Sequence, residues 1–166
     1  YFARLKPLCN EKVLIGIEIG MQTHTAREDK RVAQSHDFDY VLGSIHCIGK
    51  RDLYEPTCYE GRTRQQIVEE FLTDSITCLE QDRDFDAFAH IDYICRYWPY
   101  EGEERELRLA DAPNLFDKLF QLLIEKNIPI EINTRRLDDA AAVAGLIPLY
   151  KRYQQLGGRY CTIGSD

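Results

Sequence analysis

Imidazoles and carboxylates recur where short apolar runs come to an end. Glu18 lies near the end of VLIGIEI, His46 follows DYVLGSI, His90 falls near the end of DAFAHI, Asn133 follows IPIEI, and Asp166 stands just past YCTI. Imidazole and carboxylate together suit Zn, Fe or Mn, and a carboxylate can bridge two cations while a neutral imidazole binds one. The sequence gaps, 46 − 18 = 28, 90 − 46 = 44 and 166 − 90 = 76, are too long for a local zinc motif, so only a fold could bring these groups together. Taken singly, a Glu in an apolar strand can be ion-paired in the core, and a strand-end His can bond a loop carbonyl. Several such residues at equivalent strand ends favour a shared cation. An unpaired buried carboxylate is costly, and a divalent ion supplies the missing partner.

Positioning them requires parallel strands. Val13–Ile19, Asp39–Ile45, Asp86–Ile91, Ile128–Ile132 and Tyr160–Ile163 are short, apolar and rich in β-branched residues, which predicts five strands. Between them, Thr63–Gln81 repeats apolar residues at helical spacing. A second helix is expected after Asn114 as N-cap, ending near Asn127, and a third with Pro148 in its first turn, closed by Gly157 and Gly158. Strands alternating with helical crossovers imply an α/β fold with a parallel sheet. The irregular stretches Gly20–Ser35, Cys47–Arg62 and Arg96–Pro113 each follow a strand, the side on which barrel enzymes build their sites.

Composition narrows the function. Lys+Arg 21 against Asp+Glu 28 leaves a net charge of −7, which argues against a nucleic-acid-binding module. The longest mainly apolar stretch, Ala140–Tyr150, holds a Gly and a Pro and falls short of the ~18 residues a membrane helix needs, so no membrane partner is expected. Six cysteines without a CxxC pair fit a reducing cytoplasm. Residues 1–166 read as one domain. The opening YFARLKPLC has neither an initiating Met nor a signal-peptide pattern, and the final GSD stops straight after a strand, so the row reads as cut at both ends.

The motifs GIEIG (16–20), DYVLGSIHC (39–47), AHIDY (89–93), EINT (131–134) and IGSD (163–166), in this order, resemble the PHP phosphoesterase superfamily, and within it the histidinol-phosphate phosphatase branch. The resemblance implies a distorted (β/α)7 barrel, incomplete in this row, with two or three divalent metal ions (Zn, Mn or Fe) at its mouth. It implies that Glu18 bridges two ions, that His46 and His90 bind one, and that Asp166 binds another, with Glu18 and Asp166 central to catalysis. The family's opening HxH motif and the final His of its SDAH motif are absent, so the row reads as the middle and C-terminal part of a PHP domain. The implied activity is metal-assisted hydrolysis of a small-molecule phosphate monoester, L-histidinol phosphate, in histidine biosynthesis. Bound metal would lower the pKa of water toward about 7 and neutralise phosphoryl charge. A PHP-type nuclease and a non-catalytic PHP module are the alternatives. The sequence leaves the oligomeric state open.

A phosphate dianion is matched by a planar guanidinium fork, and Arg96, Arg135 and Arg136 sit in post-strand segments of the expected active face. Each is a candidate substrate contact, with a solvated surface role as the alternative. Asp92 could orient a ligand from behind, and Tyr93, Tyr97, Trp98 and Tyr100 could wall the pocket or simply pack.

Overall fold

A computed structural model describes residues 2–10 and 12–166, apart from the side chain of Glu103. In chain order the elements are α1 (Phe2–Leu5), β1 (Gly16–Gly20), α2 (Ala26–Ala33), β2 (Tyr40–Ser44), a hairpin of β3 (Cys47–Ile48) and β4 (Arg51–Asp52), α3 (Arg64–Glu80), β5 (Ala87–Phe88), α4 (Pro113–Glu125), β6 (Ile130–Asn133), α5 (Ala140–Gln155) and β7 (Cys161–Gly164). Five strands form one parallel sheet in the order β1-β2-β5-β6-β7, with Glu18 opposite Leu42, Phe88 opposite Ile130 and Glu131 opposite Thr162. The sheet is open, with β1 and β7 as its edges, so the expected seven-stranded barrel is not closed among the described residues.

Period-two alternation sorts the strand residues onto two faces. Ile19 and Val41 pack with Ala33 of α2, and Phe88 and Ile130 join the main core beneath α3, α4 and α5. Between these apolar positions stand Glu18, Glu131 and Asn133, which line a cavity of about 420 Å³ on the other face. The same alternation thus fastens the helices to the sheet and points the polar groups away from them. β1 starts later than the apolar run suggests, because Val13 and Leu14 remain exposed at 51% and 64%.

Three helix starts show how local sequence sets the frame. Thr63 caps α3 through a reciprocal capping box with Gln66, and Ile67, Phe71, Leu72 and Leu79 bury one face. Removing a ring the size of Phe71, which is 1% exposed, costs about 3–5 kcal/mol in such a core. Asn114, expected as N-cap, lies inside α4, which opens at Pro113; the missing N–H of proline is harmless there. Pro148, expected in a first turn, lies in the interior of α5, whose cap is Asp139, accepting from the backbone N of Ala141 at 2.8 Å and of Ala142 at 3.5 Å. No helix among the described residues is long and apolar enough to cross a membrane. All six cysteines are free thiols.

Candidate metal centre

Glu18 is the central residue of β1 rather than its last, and its carboxylate rises from the polar face of the sheet. His46 follows β2 and His90 lies two residues beyond β5, so neighbouring strands deliver all three side chains to one place. Glu18 Oε1 lies 3.1 Å from Nε2 of His46 and 3.1 Å from Nε2 of His90. Ligand atoms of the three residues all fall within 4.8 Å of one another. A tetrahedral centre with bonds of ~2.0–2.1 Å sets its ligands about 3.3 Å apart, so this donor set fits a zinc-like ion and leaves a position open for water or substrate. The imidazoles hold the Glu18 carboxyl well below the usual carboxylate range, His46 contributing most and then His90, against an opposing effect of burial. Glu18 therefore carries its charge throughout the neutral range.

The rings are held by packing as well as by polar contacts. His46 and His90 stack with centroids 5.3 Å apart, and Tyr93 lies 4.3 Å from His46 and 5.0 Å from His90. Nδ1 of His90 is buried and has no hydrogen-bond partner among the described residues, so the ring is held there by Nε2, the neighbouring rings and its own backbone. That backbone is anchored by Glu131, whose carboxylate accepts the N–H of His90 at 2.9 Å and the side-chain amide of Asn133 at 3.2 Å. Glu131 is 4% exposed and was not singled out from the sequence, although a lone acid alternating with isoleucines in β6 is the signal that marked Glu18 in β1.

Asp166 lines the same cavity as Glu18 and His90 but does not join the three-donor group; it is ion-paired to Arg96. A second guanidinium N–H of Arg96 reaches Asn133 Oδ1 at 3.4 Å, and the guanidinium lies 4.9 Å from the centroid of Tyr93. Nε of Arg96 is buried and, among the described residues, has no acceptor. Arg135 donates its backbone N–H to Asn133 Oδ1 and its side chain to the carbonyl of Asp166 at 2.8 Å. Arg136, expected as a phosphate contact, is instead held between Asp92 (3.1 Å) and Glu106. Two carboxylates already occupy its fork, and Asp92 thereby backs Arg136 rather than a metal-binding histidine. Of the aromatic set, Tyr93 and Tyr97 stand at the site, whereas Trp98 is buried, donates to Arg105 O at 2.8 Å and packs edge-on against Tyr100, which is core work.

An open parallel sheet that sets the carboxylate of Glu18 on its polar face, with His46 and His90 brought to it from just past two neighbouring strands, defines an α/β protein built to hold a divalent cation. The PHP domain family model matches residues 2–135, and the chain belongs to that family. It is 39% identical over 166 residues to the probable histidinol-phosphatase of Clostridium acetobutylicum, an alignment covering all of this chain and 64% of that protein. To the histidinol-phosphatase of Lactococcus lactis it is 28% identical over 156 residues, 93% of this chain and 57% of that one. It also superposes on the crystal structure of histidinol phosphate phosphatase from Lactococcus lactis complexed with zinc, L-histidinol and phosphate, with TM-score 0.86 and 27% identity, over 99% of this chain and 62% of that one. The chain thus spans less than two thirds of the length of these relatives.

Proposed function

We propose that this chain, within its full-length protein, hydrolyses L-histidinol phosphate to L-histidinol and phosphate with the help of divalent metal ions. The observation that carries the reading is the convergence of Glu18, His46 and His90, far apart in sequence, on one point beside Arg96. The names of the relatives and the zinc, histidinol and phosphate held by the structural neighbour support the substrate. Glu18, His46 and His90 would hold one ion, and Asp166, with Glu18 as a bridge, would take part in holding a second or third. Such ions supply a nucleophile at neutral pH and offset charge on the phosphoryl oxygens.

The remaining work falls to the chain's own groups. Arg96 offers phosphate a guanidinium with one donor, Nε–H, still without an acceptor among the described residues, with Tyr93 beneath it and Asn133 and Asp166 setting its plane. Arg135, on the exposed side, supplies a second cation. Arg136 locks the segment after β5 to the segment after β6, so that Arg96 and Arg135 meet. In this reading the complete protein closes the open sheet into the distorted barrel of its family, and six free thiols fit a reducing cytoplasm.

The test is an assay of the full-length protein with Zn or Mn against histidinol phosphate and, separately, single-stranded DNA. Turnover of the phosphate ester is expected; turnover of DNA alone would favour a nuclease, and turnover of neither a non-catalytic module. Glu18→Gln should lose both bound metal and hydrolysis, and unchanged metal content would reject its role.

A further inference from the structure

We infer that Tyr97 and Tyr54 form the surface that receives the organic part of the phosphate ester and selects for a flat aromatic ring there. The inference rests on the phosphomonoester reading above and adds to it the residues that choose the leaving group.

Tyr93 marks where the ester must lie. Its ring touches both halves of the site: His46 at 4.3 Å on the side of the donor cluster, and the guanidinium of Arg96 at 4.9 Å on the side of the anion contact. A phosphoryl group held between those halves sits beside Tyr93. From that ring an aromatic row runs outward, with Tyr97 at 5.5 Å and 64° to Tyr93, and Tyr54 at 5.3 Å and 77° to Tyr97. Exposure rises along the row, from partly buried Tyr93 to Tyr97 at 37% and Tyr54 at 64%. On another side the cavity is closed by Glu131 and Asn133, each 4% exposed. The cavity also opens past Ile163, 79% exposed, whereas the tyrosine row is the way outward that starts beside both His46 and Arg96.

Tyr97 and Tyr54 keep large rings at the surface, held edge-on within the row. Tyr54 follows β4 and Tyr97 follows the turn at Tyr93–Arg96, so two separate segments each bring a large ring to one rim. Trp98, one residue after Tyr97, is 4% exposed, which shows that the same segment buries an aromatic ring when packing calls for it. Rings offset or edge-on at 4.5–7 Å attract one another beyond area burial, so an incoming imidazole would extend the row already present. A saturated chain of similar length could not.

The experiment uses the full-length protein with zinc and compares two substrates, L-histidinol phosphate and O-phosphoethanolamine, an amino-alkyl phosphate without a ring. The readout is the ratio of their kcat/KM values. Tyr54→Leu and Tyr97→Leu should each lower that ratio about threefold, and the double variant about tenfold, whereas Tyr54→Phe and Tyr97→Phe should keep it. Thermal melting and zinc content are followed in parallel. If the parent protein turns over histidinol phosphate and the double variant keeps the parent ratio, even with both rates lowered together, the inference is overturned and the phosphatase reading stands. If the parent shows no turnover of histidinol phosphate, that reading falls and takes the assignment of the row with it.

Discussion

Arg96 and Arg136 are equally attractive as phosphate contacts when only their positions along the chain are known, yet their surroundings differ in kind. Arg136 is enclosed with two carboxylates, its side chain 10% exposed and those of Asp92 and Glu106 6% and 5%. One positive charge faces two negative ones, and the group knits together three segments. Arg96 is as deeply placed, at 8% exposed, but has a single carboxylate partner at the cavity wall, a weak contact to Asn133, an aromatic face and a spare N–H. A buried cation already outnumbered by carboxylates serves the fold; one with a spare donor and a single carboxylate partner, itself lining the cavity, can serve a ligand.

The largest expected effect is therefore on stability, from Arg136→Ala. Leaving two buried carboxylates without their cation should cost about 3–5 kcal/mol, read by urea or thermal unfolding of the full-length protein. A loss under 1 kcal/mol would erase the distinction. Next comes Arg96→Ala, expected to lower kcat/KM for histidinol phosphate about 100-fold, roughly 2.7 kcal/mol, with a smaller effect on unfolding than Arg136→Ala. Arg96→Lys should recover only part of the rate, because an ammonium cannot copy a planar fork. Equal kinetic damage from Arg96→Ala and Arg136→Ala, at equal stability, would merge the two roles. The smallest effect should come from a surface pair, Arg152–Asp117 at 2.6 Å. Arg152 holds the Asp117 carboxyl below its usual range, so what the pair contributes is present above the unfolded carboxylate pKa and fades as pH falls through the folded one. Asp117→Asn should differ from the parent slightly at neutral pH and not at all in strong acid, as followed by thermal melting.

Much of the frame could be read from residues alone. Five apolar runs became the five strands of the parallel sheet, and Glu18, on the polar face of β1, met His46 and His90 because β1, β2 and β5 lie side by side in parallel. Ala26–Ala33 escaped notice because AREDKRVA holds only three apolar residues, Ala26, Val32 and Ala33, and buries Ala33 alone, too few to mark out an apolar face by eye. Pro148 misled in another way. Proline opens helices more often than it interrupts them, but the cap at Asp139 and the alanines after it already start α5. At the site, residue type could not separate Arg96 from Arg136, because their difference lies in Glu106, thirty positions from Arg136, and Asp166, seventy positions from Arg96. Asp166, expected as a metal ligand, is ion-paired to Arg96, a partner no spacing rule connects to it.

Gly164 carries a consequence for how such a chain can change over time. A Cβ built there would run into Oε1 of Glu131, the carboxylate that holds the backbone of His90. A side chain on the strand partner of Asn133 would push that carboxylate out of place for as long as position 131 keeps an acid of that length. Among relatives these two positions should accordingly drift as a couple: a bulkier residue at 164 is affordable only alongside a shorter one at 131, and a sequence that altered one without the other would be expected to lose its grip on His90.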